Sequence, residues 1–337
     1  MNSLRESVIE YCAEIGADSM LVQGAGGNVS WKDGDTLWVK ASGTWLADAK
    51  VKDIFVPVDL PELKKKIEAG NFAVTPMVKS ESQLRPSIET FLHALMPHRV
   101  VVHVHAIEVL AYLVRENAES QIKQKLAELF EYAMVDYQKP GEALAQAIGQ
   151  SLVKSPNAQV VLLKNHGVVI GGNDVAEVKT ALNSLTATLS LQPLIFTNTQ
   201  PVLDMLWLKN GVKYIPVELR GIQNLALDAA LFEQVKTAWA LYPDHVVFLG
   251  HQAACYETVE HLENESNLDM INDLIFLKEM GVYTKEPLSV AKQAQLRCYY
   301  DVIVRQSKLV TLKSLSPQQI AQLLDWDAER YRQHIAK

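Results

Sequence analysis

The chain has 337 residues, more than one hydrophobic core ordinarily holds, and 48% of them are hydrophobic, so two domains with ample material for each core are expected. A formal charge of −7 with no basic block excludes nucleic acid or an anionic membrane surface as the main partner and leaves a small molecule. Cys12, Cys255 and Cys298 form no CxxC pair and suit a reducing compartment, and no apolar run reaches membrane-spanning length, so a cytoplasmic location is expected.

In chain order, MNSLRESVIEYCAEIG (1–16) sets Leu4, Val8, Tyr11, Cys12 and Ile15 among acidic residues, the pattern of an amphipathic helix and not of a signal peptide. QGAGGNVSWKDGDTLWVKASGTWL (23–46) reads as a glycine turn, a short strand, a KDGD hairpin turn and a second strand. DLPELKKKIEAG (59–70) is punctuated as a helix by Pro61 and Gly70, and NFAVTPMVKSESQLRP (71–86) reads as a loop. SIETFLHALM (87–96) predicts a helix capped by Ser87 and stopped by Pro97. A strand over 100–105 then leads into helical AIEVLAYLVREN, with further helices near 120–131 and 141–153. QVVLLKNHGVVIGG (159–172) resembles two short strands joined at KNHG, followed by a long helix from about Asp174 to Leu191. This alternation indicates an α/β or α+β fold.

Near residue 200 the pattern changes, and the expected division is 1–198 and 199–337. WLKNGVKYIPVELRG is followed by a helix, HVVFLG (245–250) as a strand, and mostly helix to the end. SLSPQQIAQLLDWDAERYRQHI (314–335) is an amphipathic helix with Ser316 as its N-cap. His245 and His251 flank the expected HVVFLG strand, and single scattered histidines are ordinarily structural.

VVVHVHAIEVL (100–110) raises the first chemical question. Strand alternation points His103 and His105 to one face. Burying an imidazole without a partner costs roughly 1 to 3 kcal/mol, so the pair either shares a task such as metal ligation or consists of two core histidines satisfied by backbone or water. His166, in the turn KNHG, is a third imidazole at a sheet end, and three histidines with an open fourth position are a common arrangement for catalytic zinc. Glu89, one helix upstream in RPSIETFLH, reads either as a general acid/base for such a site or as a first-turn glutamate favoured by the helix dipole, with His93 packing behind it. GAGGNVS fails the dinucleotide pattern because Val29 stands where GxGxxG needs glycine. Its glycines either expose N–H groups that cradle an anion, with Asn28, Ser30 and Ser42 nearby, or simply make a tight turn with positive φ.

Taken in order, GAGGNVS, ASG, PSIETFLH, HVH, DYQKPG and KNHG resemble the zinc-dependent class II aldolase/adducin family over residues from about 5 to 195. The resemblance implies a central, mainly antiparallel sheet flanked by helices, with a smaller α/β domain of unassigned role behind it. It makes His103, His105 and His166 ligands of Zn2+ or another divalent metal such as Mn2+ or Co2+, and Glu89 the catalytic carboxylate. Gly27, Asn28, Ser42, Gly43 and Ser87 fall where family aldolases hold the substrate phosphate. Family members often have two adjacent serines before the glutamate, whereas this chain has Ser87 and then Ile88, with Arg85 as a nearby charge. Tyr137 matches a tyrosine of a PYxxPG-like segment, although Asp136 replaces the proline, and it is carried over as a second catalytic candidate. The activity implied is reversible aldol cleavage of a ketose (phosphate) or sugar-acid derivative through an enediolate, in a homotetramer. Epimerase, decarboxylase and dehydratase chemistry, or a non-catalytic adducin-like role, are the family's alternatives. YPDHVVFLG and AQLRCYYDVIVRQ are similar to the region that follows the aldolase part of bifunctional rhamnulose-phosphate aldolase/dehydrogenases, but no nucleotide fingerprint accompanies them and no oxidoreductase activity is implied.

Overall fold

The computed structural model describes the chain apart from residues 1–2, 80–83, 127–128, 198–199, 265–271, 308, 325, 328–329, 332–334 and 336–337. The opening helix, Leu4–Ala17, starts at a reciprocal cap in which Ser3 and Glu6 each satisfy the other's backbone N–H, and it buries Val8, Tyr11, Cys12 and Ile15. Seven strands follow in one sheet: β1 (Asn28–Asp33), β2 (Thr36–Lys40), β3 (Phe55–Asp59), β4 (Val100–Val104), β5 (Tyr132–Val135), β6 (Val160–Leu163) and β7 (Gly167–Gly172). Their spatial order is β3-β2-β1-β4-β7-β6-β5, antiparallel throughout except for the β5–β6 pair.

Both faces of this sheet are covered, which is why β4 reads as an unbroken apolar run and not as an alternating one. Val100, Val102 and Val104 pack with the helices Leu4–Ala17, Ile107–Leu113 and Val175–Thr188. Val101 lies on the other face, with Leu92, Leu144, Ile148 and Val169. In the centre of the sheet Asn28 pairs with His103 across β1–β4, and His103 with Val169 across β4–β7. The register therefore brings the GAGGNVS turn, the HVH segment and the KNHG turn to one end of the sheet.

A second sheet, β10-β11-β12-β9-β8, is built from β8 (Leu206–Trp207), β9 (Lys213–Pro216), β10 (Ala254–Tyr256), β11 (Leu274–Leu277) and β12 (Gly281–Thr284). Its helices bury Leu225, Phe232, Leu296, Tyr299 and Val302 in a cluster that also takes in Ile107, Leu110 and Val114 of the N-terminal half. The helix Ile107–Leu113 thus serves two cores at once.

Three expectations need correction. HVVFLG is not a strand: Pro243–Leu249 is a helix, with proline in its first turn, where its missing N–H costs nothing. A short apolar run has no periodicity of its own to separate helix from strand. The stretch expected to be mostly helical contains β10, β11 and β12, each of three or four residues. Ser87 does not cap the following helix, which is Thr90–Leu95; its Oγ accepts from the N–H of Glu89 and shapes the preceding turn instead. The C-terminal helix is described over Pro317–Leu324, and parts of the remaining expected span lie outside the described residues.

Candidate functional site

The three histidines meet at the sheet end. Ring centroids lie 5.0 Å apart for His103 and His105, 4.9 Å for His103 and His166, and 5.3 Å for His105 and His166. Glycine makes that approach possible: a Cβ on Gly167 would stand 2.5 Å from the carbonyl oxygen of Val104 and 2.9 Å from Cδ2 of His105. Gly27, with φ +62°, passes so close to β4 that a Cβ would reach the His103 carbonyl oxygen at 2.8 Å. Asn165 takes the left-handed conformation (φ 55°) just before His166 and is tied down by its Nδ2, which donates to Leu241 O (2.8 Å) and Lys313 O (2.6 Å).

Partners define what each ring presents. Nδ1 of His103 donates to Val168 O at 3.1 Å, which leaves Nε2 with a lone pair. That Nε2 is 3.2 Å from Nε2 of His105, whose Nδ1 faces Asp244 Oδ2 at 3.4 Å. Nε2 of His166 and Nε2 of His103 flank the Glu89 carboxylate at 3.5 and 3.6 Å. One ligand atom from each histidine lies within 4.8 Å of the others. Burial holds His103 below the usual imidazole range and takes His166 down to about 3, so both rings are neutral. Burial pushes Glu89 upward, but His103 and His166, at pH values low enough to protonate them, and the hydrogen bond from Asn28 outweigh it and bring its carboxyl down to about 2. Its Oε1 is buried and has no hydrogen-bond partner among the described residues. Converging lone pairs beside an ionised, under-satisfied carboxylate fit a divalent cation, and a set of three nitrogens and one oxygen suits zinc and its neighbours.

Behind Glu89 runs a buried chain of polar groups. Asn28 Nδ2 donates to Glu89 Oε2 at 2.9 Å, and Asn28 Oδ1 accepts from Nε2 of His93. Nδ1 of His93 is then the acceptor for the Ser30 hydroxyl at 2.8 Å. Burial lowers His93 to about 3, in keeping with the neutral ring this pattern demands. His93 therefore does more than pack behind Glu89: it orients the asparagine that holds it.

A small polar cleft opens in front of the cluster. Gly27, Asn28, Ser42, Gly43, Ser87 and Glu89 line it together with His105 and His166. The loops carrying Ser42 and Ser87 are joined by Ser42 N to Arg85 O (2.9 Å) and Ser87 N to Lys40 O (3.2 Å). Tyr137 does not line this cleft; it packs against Ala240, Val246, Val247, Leu315 and Leu323. Asp136 pairs with Lys164 at 2.8 Å, and the guanidinium of Arg85 lies over the Tyr331 ring at 4.5 Å. His245 is buried away from the site among Trp239, Tyr242 and Tyr299.

Two charged lining residues are not marked as site residues by the sequence. Lys40, 2% exposed, ends β2 and donates to Ala25 O (3.1 Å) and Thr44 O (2.6 Å). A lysine at a strand end beside ASG was the available signal. Asp244 comes from the C-terminal half, within YPDHVVFLG, and no local spacing there marks it as a site residue.

Three imidazoles and a carboxylate at the end of a mainly antiparallel, helix-covered sheet, opening on a polar cleft, make a candidate divalent-metal centre in an α/β fold. Residues 6–192 match the family model for the class II aldolase and adducin N-terminal domain, and the chain belongs to this family. It is 30% identical over 176 residues to the "uncharacterized oxidoreductase YuxG" of Bacillus subtilis, a match covering 47% of this chain and 25% of that protein. The chain thus spans about a quarter of that relative's length. It is 27% identical over 200 residues to the L-fuculose phosphate aldolase of Methanocaldococcus jannaschii, covering 57% of this chain and 97% of the relative. Among solved structures, the N-terminal class II aldolase domain of a conserved Thermoplasma acidophilum protein matches at 24% identity with a TM-score of 0.48, over 56% of this chain and 93% of that one.

Proposed function

We propose that the protein is a metal-dependent lyase that reversibly cleaves a carbon–carbon bond in a ketose, ketose phosphate or sugar-acid derivative. The observation that carries this reading is the convergence of His103, His105 and His166 beside an ionised Glu89 at the back of a polar cleft. The three Nε2 atoms would hold the ion, with zinc as the favoured metal and Mn2+ or Co2+ as alternatives. Bound there, a divalent cation supplies Lewis-acid stabilisation, worth several kcal/mol, for the negative charge that cleavage leaves on the substrate.

The chain's own residues supply the rest. Glu89 moves the proton to and from the carbon next to the substrate carbonyl, and Asn28 fixes the carboxylate for that transfer. Ser42, Ser87 and the backbone at Gly43 offer donors to a phosphate or carboxylate, and Lys40 sets positive charge on the same wall, where the family's second serine is replaced by Ile88. Tyr137, which does not line this chain's own cleft, or a group from a neighbouring copy in the homotetramer that accompanies this reading, handles the hydroxyl at the cleaved end. A cytoplasmic location belongs to the same proposal; among the described residues no helix is long and apolar enough to cross a membrane.

The test begins with elemental analysis of protein purified without chelators, wild type against His105→Ala. About one divalent ion per chain, lost in the variant, is expected. The loaded enzyme is then offered ketose phosphates and sugar acids, and the products are identified by NMR. Metal-dependent release of an aldehyde supports the lyase; isomerised, decarboxylated or dehydrated products redirect the assignment within the family. A metal-free wild type, or no turnover across the panel, overturns the reading in favour of an adducin-like role.

A further inference from the structure

Asp244 stands in the first turn of the helix Pro243–Leu249, 3% exposed, at the point where the C-terminal half meets the histidine cluster. Its Oδ2 lies 3.4 Å from Nδ1 of His105 and 3.4 Å from Nε2 of Gln295, a residue 2% exposed on the helix Val290–Ile303. The same Gln295 amide reaches Gln23 O at 3.5 Å, and Gln23 in turn donates to His105 O at 3.4 Å. Gly26 abuts this pair, since a Cβ there would stand 3.0 Å from Asp244 Oδ2 and 3.2 Å from Nδ1 of His105. Helices from the second half of the chain thus hold a carboxylate against the far nitrogen of a histidine in the first half.

The consequence follows from imidazole chemistry. His105 can present Nε2 as a ligand only if its proton sits on Nδ1, and the group facing Nδ1 decides whether that tautomer and ring orientation prevail. A carboxylate there takes the Nδ1 proton as a hydrogen bond and raises the donor strength of Nε2. We propose that Asp244 is a positioning residue of the metal centre, contributed by the C-terminal half, which orients His105 and makes cation affinity depend on both halves of the chain. This inference rests on the reading that the three histidines hold a divalent cation.

A purely structural role makes a different prediction. An acidic residue in the first turn of a helix is favoured by the helix dipole, and its loss would then lower stability without moving affinity. Zinc affinity is measured by chelator competition for the wild type, Asp244→Asn, Asp244→Ala and Gln295→Leu, beside thermal unfolding of the metal-free proteins. We expect zinc binding about 10- to 100-fold weaker in Asp244→Ala and about tenfold weaker in Asp244→Asn, beyond any change in unfolding temperature. Gln295→Leu should fall between these and the wild type.

Long-range proton–nitrogen NMR correlations on zinc-loaded wild type give a readout that needs no Asp244 variant. His105, assigned by through-bond correlation of its ring to its own backbone, should carry its proton on Nδ1 and bind through Nε2. Affinities within twofold of wild type in both Asp244 variants, or ligation of His105 through Nδ1, overturn the proposal while leaving the metal site intact. A wild type that takes up no zinc overturns the functional reading and this inference together.

Discussion

At the scale of single residues, two buried histidines with the same burial have opposite energetic meanings. His93 is satisfied on both ring nitrogens, by Asn28 and by Ser30. His245 packs edge-on against Trp239 and Tyr299, with centroids at 4.3 and 4.7 Å, and neither of its nitrogens has a hydrogen-bond partner among the described residues. His93→Leu leaves the Asn28 carbonyl and the Ser30 hydroxyl without partners and should cost roughly 2 to 3 kcal/mol in urea unfolding at pH 7. His245→Leu removes two unpaired nitrogens and should gain about 1 kcal/mol in the same measurement.

The pH dependence of His245 carries a definite sign. Burial lowers its folded value to about 3, below the ordinary 6.5, so the unfolded chain takes up a proton that the folded chain refuses. Nothing changes above about pH 6.5, and stability falls as the pH drops from there towards 3. At pH 4 the loss from this one ring is about 3 kcal/mol. Urea unfolding across that window should therefore be less steep in pH for His245→Leu than for the wild type; identical slopes would show that the ring is protonated in the fold.

At the scale of elements, the β6–β7 turn does the positioning. Asn165 adopts positive φ and bonds to two carbonyls of the C-terminal half, and Gly167 lets β7 pass beside the imidazoles. Gly167→Ala would place a methyl against the Val104 carbonyl and the His105 ring. It should lower stability by roughly 2 kcal/mol and depress zinc uptake, read by thermal unfolding and elemental analysis. This turn was legible in the sequence because KNHG between two apolar runs has both turn chemistry and strand flanks. The helix Pro243–Leu249 was not, because a four-residue apolar run (Val246–Leu249) carries no period; its burial against helices distant in the chain, not its composition, settles its conformation.

At the scale of the whole molecule, the two sheets are linked through shared apolar packing. Ile107, Leu110 and Val114 belong to the cluster that contains Leu225, Phe232, Leu296 and Val302, and Arg305 pairs with Glu108 at 3.1 Å with both side chains largely buried. The full chain should therefore unfold in one cooperative calorimetric transition. Two separated transitions would show that the halves are independent. Coupling of this kind also explains why Asp244 can act on His105: both of its neighbouring helices are anchored in the shared core.

The local pattern of the chain was enough to determine two strands about the KDGD turn, a strand over 100–105 and two more about KNHG, the pairing of His103 with His105 on one face, and the place of His166 in a turn. Alternation, turn chemistry and glycine placement act over a few residues, so they can be read in order along the chain. Only the tertiary structure decided that Asp244 and Gln295 stand behind His105, that Lys40 shares the cleft wall, that His93 holds Asn28, and that Tyr137 packs against Val246 and Leu315. Those relations join residues far apart in sequence through buried packing and desolvated hydrogen bonds, and no local period or motif encodes them.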